Sequence, residues 1–185
     1  MRRLLPALGC FTLAAALCAE PAGIVVYTVP ETIRENHGRL PRREPFFQAL
    51  RSFTEGGEIL ALRAPPEWGR TVPGAAGSVR LHPPVAEGLI LHVALTGLRP
   101  DHRYILTLNG RPDLPGNDLL PSQVPGLPEE RYVDFHTITT GADGAFAAAF
   151  GLVLRPGEYR VRFYVKDTDD FKIVLYHDYF PCAVR

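Results

Sequence analysis

Between residues 88 and 185, apolar side chains recur at every second position in one short run after another, with turn residues between the runs. No other feature constrains the fold as much. In 88–96, Leu89, Leu91, Val93 and Leu95 alternate with Ile90, His92, Ala94 and Thr96. A period of two with one wholly apolar face marks a half-buried antiparallel strand. Similar runs follow at 103–109, 131–139, 145–154, 158–166, 171–177 and 180–184, and shorter ones precede them at 24–29, 58–63 and 77–82. Roughly ten short strands without interleaved helices predict an all-β antiparallel sandwich and disfavour a parallel α/β sheet.

Two segments depart from this pattern. Phe46, Phe47, Leu50 and Phe53 recur at helical spacing within 44–54, just ahead of Gly56-Gly57. They predict one short peripheral helix whose phenylalanines cap the sandwich edge. The stretch 110–130 carries Pro112, Pro115, Pro121, Pro125 and Pro128. That density predicts a long connection without strand or helix, of the kind that often carries function in a compact domain.

The amino terminus predicts export. Arg2 and Arg3 precede an apolar stretch over 4–17, too short to span a bilayer comfortably, and small residues flank a cleavage point after Ala19. The expected organisation is a signal peptide at 1–19 and one sandwich domain at 20–185. Within that domain, 20–87 holds the first strands, the short helix and loops, and 88–185 the strand-rich core. No transmembrane segment is expected after the signal is removed. Lipid anchoring at Cys18 is disfavoured, because Leu17 stands where a lipobox wants a small residue. Cleavage leaves Cys182 as the sole cysteine, unable to form an internal disulfide. Its apolar setting reads as a small core residue, with a thiol for pairing with another chain as the alternative.

Composition excludes some functions. The 20 basic residues balance the 20 acidic ones. Nucleic acid is therefore not an expected partner, since phosphate neutralisation needs a basic excess. Only Ser52, Ser78 and Ser122 are serine, and none lies in Gly-x-Ser-x-Gly. No phosphate-cradling glycine loop is present.

Two corners carry a family likeness. Leu98-Arg99-Pro100-Asp101-His102-Arg103-Tyr104, followed by Leu106 and Leu108, resembles the corner before a late strand of fibronectin type III and other immunoglobulin-like sandwiches. Proline fixes the turn, leucine enters the core, and the tyrosine hydroxyl returns to the backbone upstream. Asp143-Gly144-Ala145-Phe146, continued by Leu154-Arg155-Pro156-Gly157-Glu158-Tyr159-Arg160-Val161, is similar to transthyretin-like and carboxypeptidase-regulatory-like domains. The resemblance implies an immunoglobulin-like sandwich and nothing about ligands.

Candidate site residues lie on two strands and their surroundings. On 131–139, alternation places Tyr132, Asp134, His136 and Ile138 on one face. On 158–166, Tyr159, Val161, Phe163 and Val165 form an apolar face opposite Arg160, Arg162, Tyr164 and Lys166. If the strands are neighbours, Asp134 and His136 meet the arginines. The result is either cross-strand ion pairing on a solvated face or a polar–aromatic binding face. A metal-dependent alternative would use Asp134, His136, His177 and Asp178, although no His-x-His or Cys-x-x-Cys pair exists. The acidic turn 167–170 lacks the glycine and distal glutamate of an EF-hand loop. A carbohydrate-binding alternative would present Trp68 with Tyr132, Tyr164, Tyr176 and Tyr179. The expectation is an exported, non-enzymatic binding or structural module with no cofactor and no metal. Its partner would be a protein or a glycan, met by the 110–130 loop and by the face of Arg160, Arg162 and Tyr164.

Overall fold

A computed structural model describes residues 24–28, 46, 49, 50, 56–85 and 88–185. The expected signal peptide, Cys18, Phe47 and Phe53 lie outside the described residues. Among the described residues, no helix is long and apolar enough to cross a membrane.

Ten strands form two five-stranded sheets. They are β1 (Ile24–Thr28), β2 (Glu58–Leu62), β3 (Ala76–Leu81), β4 (Leu89–Thr96), β5 (Arg103–Gly110), β6 (Ser122–Val124), β7 (Leu127–Thr139), β8 (Phe146–Val153), β9 (Gly157–Asp167) and β10 (Ile173–Val184). The first sheet runs β1-β8-β4-β3-β2 and the second β10-β9-β5-β7-β6. All pairings among these strands are antiparallel except β1 with β8, which is parallel and departs from the purely antiparallel expectation.

The inward faces supply one continuous core. Leu60, Val79, Leu91, Val93 and Phe150 of the first sheet pack with Leu106, Leu108, Val161, Phe163 and Val165 of the second. These are the apolar faces that strict alternation identified on β4 and β9. The architecture is therefore an all-β sandwich. By order, β3, β4 and β8 stand where strands A, B and E of an immunoglobulin-like sandwich stand; β10, β9, β5 and β7 occupy the places of G, F, C and C′.

Both corners form. Tyr159 opens the strand in the F position and donates its hydroxyl to the Arg155 carbonyl at 2.6 Å, the arrangement expected between strands E and F. Tyr104 opens β5, in the C position, and its hydroxyl accepts the Arg99 N–H at 3.1 Å. The corner at Leu154–Tyr159, rather than the one at Leu98–Tyr104, is thus the topological counterpart of the fibronectin-type corner. The Asp143-Gly144 turn closes on the first corner. Gly144 has φ of +71°, and a Cβ there would lie 2.2 Å from the Leu98 carbonyl oxygen, so only glycine fits.

Three expectations need correction. First, 110–130 is not devoid of regular structure: it contains a 3-10 turn at Asn117–Leu119, strand β6 and the start of β7. What matters is where each proline falls. Pro125 sits in the turn between β6 and β7, and Pro128 lies where the β6–β7 register jumps, opposite no ladder partner. Asn117 holds the segment down, donating from Nδ2 to the Glu129 carbonyl at 2.8 Å and accepting the Arg131 N–H at 3.0 Å. Second, 171–177 and 180–184 are not two strands but one, β10, interrupted by a register shift between His177 and Phe180. Its Pro181 is tolerated because β10 is an edge strand. Third, Phe46 and Leu50, which lie in helical backbone, do not cap an edge. They pack on Ile90 and Ala149, covering the outer face of the first sheet.

The two sheets are joined along one flank. After β2, Arg63 exchanges two backbone hydrogen bonds of 2.9 Å with Tyr176 of β10, and the Arg70 N–H reaches the Ile173 carbonyl at 2.8 Å. This crossing lays the 63–70 segment, and Trp68 with it, against the outer face of the second sheet.

Candidate functional site

That outer face is a lattice of polar and aromatic side chains set by register. One row runs across four strands: Asp134, Thr107, Tyr164 and Tyr176. The next holds Tyr132, Asn109 and Arg162. Each of these residues occupies the outward phase of a strand whose other phase is in the core. Trp68 stands edge-on to Tyr176, with centroids 5.1 Å apart, and to Tyr164 at 6.0 Å. Cations sit over the rings. The Arg63 guanidinium lies 4.8 Å from the centre of Tyr176, Arg162 lies 4.1 Å from Tyr179, and Lys166 Nζ lies 5.1 Å from Tyr132.

Within the lattice lies a groove of about 410 Å³. Thr107, Asn109 and Tyr164 form its floor. Val124 and Pro125 of the β6–β7 turn make one wall, and Phe171 and Ile173 close the other side. Tyr132, Asp134 and Lys166 complete the lining. Phe171 adopts a left-handed φ of 57° and is 66% exposed, so the turn holds its ring at the groove margin rather than in the core. Asp134 Oδ1 accepts from Lys166 Nζ and from the Thr107 hydroxyl, both at 2.6 Å. Asn109 is 3% exposed and donates from Nδ2 to the Arg131 carbonyl at 3.3 Å, while its Oδ1 has no hydrogen-bond partner among the described residues. A buried acceptor without a partner is uncommon and costly in a folded protein.

The structure separates the expected site residues. Asp134, Tyr164 and Lys166 line the groove, with Trp68 beside it. Arg162 pairs with Asp178, Nε to Oδ1 at 3.1 Å, and Arg160 is exposed outside the groove. Asp134 therefore meets Lys166, not the arginines. His136 does not share its face. The register shifts between Leu106 and Thr107, so His136 pairs with the inward Leu106 and its ring lies 5.4 Å from Phe150 of the opposite sheet. His177 Nδ1 lies 2.9 Å from the Ala61 carbonyl. Asp134, His136, His177 and Asp178 thus have four separate environments, and the four-residue metal site is not assembled.

A different cluster went unrecognised in the sequence. Asp167 ends the inward row Val161, Phe163, Val165 on β9 and is fully buried. Its Oδ1 lies 2.8 Å from His102 Nε2 and accepts the Asp169 N–H at 2.9 Å; its Oδ2 is held by Arg70. Arg70 also reaches Asp170, and Arg99 reaches Asp169 at 2.8 Å. Among the described residues, His102, Asp167 and Asp169 bring potential metal ligands within 4.8 Å of one another. Arg70 and Arg99 supply the positive charge there, so the arrangement is an ion-pair knot. A carboxylate continuing an apolar inward phase was its signal in the sequence.

Three side chains bear on reactivity and on the response to pH. Burial, followed by the charge of Glu158, pushes the Cys182 thiol up to about 12, leaving it protonated and poorly nucleophilic. Burial also holds His136 below its ordinary value, and His92 likewise, with Arg80 adding to the effect. Both folded values lie below the unfolded one, so below about pH 6.5 the unfolded chain binds more protons and stability falls. Each histidine contributes a slope of at most about 1.4 kcal/mol per pH unit. Urea unfolding of His136→Gln between pH 7.5 and 5.5 is expected to show a smaller loss than wild type; an unchanged loss would mean that His136 stays accessible to protons.

Compared with protein-family models, with curated proteins and with solved structures, the chain matches none of them. Fold and site define it as an all-β sandwich with a polar–aromatic groove on the outer face of its second sheet.

Proposed function

We propose that the protein is an exported, non-enzymatic binding module that takes its ligand in the groove on the second sheet. The observation that carries this reading is the concavity itself: three aromatic rings and an ion pair line about 410 Å³. Sites for small ligands combine apolar walls with a few placed polar groups in this way. Binding rather than catalysis is favoured because the candidate reactive groups are engaged elsewhere. His102 is held on Asp167, His136 faces the core and the Cys182 thiol is protonated. Export rests on the charged and apolar pattern of 1–19.

The test is a fragment screen on the isotope-labelled domain, using small polyhydroxylated and aromatic fragments and amide chemical shifts. Perturbations are expected to centre on Thr107, Asn109, Tyr132 and Tyr164 and to disappear in Tyr132→Ala. Fragments that gather on the first sheet, or no perturbation at all, would remove the groove as the binding site.

A further inference from the structure

Given that the groove is the binding site, on which this inference rests, the chemistry of its lining narrows the occupant. We infer that the ligand is a neutral saccharide chain, laid across the face of the second sheet between the β6–β7 turn and Phe171.

Three features of the lining select it. The half-buried ring of Tyr132 and the exposed ring of Phe171 offer apolar surface to the C–H faces of pyranose rings, while the buried Tyr164 forms the floor and Trp68 stands edge-on beside it. The charges of Asp134 and Lys166 cancel at 2.6 Å, so the lining attracts neither an anionic nor a cationic chain. Both hydrogen bonds to Asp134 fall on Oδ1, which leaves Oδ2 as an acceptor beside the Lys166 ammonium donor. Neighbouring acceptor and donor suit adjacent hydroxyls, each of which gives one proton and receives another.

The alternatives fit less well. A single-stranded nucleic acid would use the aromatic rings but requires a positively charged track for its phosphates. A peptide added as a strand needs a free sheet edge, and a proline-rich peptide, which also uses aromatic grooves, brings few N–H donors for the open Asp134 oxygen. This groove is centred on β5, in the middle of its sheet, and spans from Val124 of β6 to Ile173 of β10.

The experiment titrates the domain with cellohexaose, maltohexaose, chitohexaose and mannohexaose, by calorimetry and by the emission of Trp68, the only tryptophan. An anionic heparin hexasaccharide and a mixed hexapeptide pool are run in parallel. At least one neutral hexasaccharide is expected to bind and to shift the Trp68 emission. Tyr132→Ala and Asp134→Ala should each weaken binding by at least about tenfold, the equivalent of one lost hydrogen bond to a charged group or one lost stacking surface. Tyr132→Phe keeps the ring and should retain most of the affinity. Unchanged melting temperatures confirm that the variants fold. No binding by any neutral hexasaccharide, or binding untouched by both alanine variants, overturns the inference. If fragments still map to the groove while only heparin or peptide binds, the saccharide class is lost and the binding face stands.

Discussion

Asp167→Ala is expected to lower the free energy of unfolding by about 3 kcal/mol, the cost of breaking a buried ion pair by removing one partner. The Asp167 side chain is 0% exposed, and its oxygens hold Arg70, His102 and the Asp169 amide. Removal strands these donors at the junction of three segments: the 63–75 connection, the Leu98–Tyr104 corner and the β9–β10 turn. Arg70→Ala should cost a similar amount, because it leaves the buried Asp167 carboxylate with Arg99 only at 3.8 Å. Acid exposes the same residue. Burial pushes the Asp167 carboxyl up, but the Asp169 N–H, His102 and Arg70 outweigh it and hold the carboxyl below its ordinary value. Its contribution is therefore present above the unfolded carboxylate value of about 3.9 and is lost as pH falls through the lower folded value. Urea unfolding of wild type and Asp167→Asn from pH 6 to pH 2.5 should show this difference, with the variant flatter in the acid range. A cost below about 1 kcal/mol for Asp167→Ala would make the cluster an ordinary surface network.

Phe150→Ala should cost about 4 kcal/mol, the combined transfer and cavity terms for a large buried ring. Phe150 is 0% exposed on β8 and projects between the sheets. It stands edge-on to Phe135 at 5.6 Å and stacked with Phe146 at 6.2 Å. β8 is flanked by β4 and β1, so the backbone around the void is held on both sides and cannot collapse into it. Phe150→Leu should cost less than half as much, and neither variant should change the dependence on denaturant concentration. If leucine and alanine destabilise equally, the ring makes no specific contribution and the core there is loosely packed.

Strands whose two faces differ cleanly could be read from the chain, and those whose phase changes midway could not. β4 and β9 keep one alternation from end to end, so their inward rows follow from the apolar phase, although residue type misplaces Ile90 and Asp167. In β7 the run Val133-Asp134-Phe135-His136-Thr137-Ile138 reads as strict alternation, yet Val133, Phe135 and Ile138 are all buried. The irregularity opposite Leu106 and Thr107 moves His136 inward, and no residue there announces a bulge. Proline content misled for a related reason. Counting prolines in 110–130 says how many amides are missing but not whether the ladder needs them. On the grooved face, Tyr164 and Asp134 were accessible to reasoning because they oppose apolar neighbours. Thr107 and Asn109 were not, since β5 reads as a uniformly buried strand. The groove walls come from Pro125 and Phe171, two turn residues whose placement depends on tertiary contacts. The parallel pairing of β1 leaves no mark in its short β-branched run.

The bridge from Arg63 to Tyr176 fastens β2 to β10, whereas β1 and β6 occupy the opposite margins of their sheets. Among the described residues no comparable backbone bridge joins those opposite margins, so there the sandwich is bound like a book with one spine. On that arrangement, breathing that parts its covers is expected to begin at the fore-edge. The β6–β7 turn that walls the groove sits on that fore-edge, while Trp68 belongs to the bound side. A guest gripped between them would therefore be held by one fixed jaw and one yielding jaw.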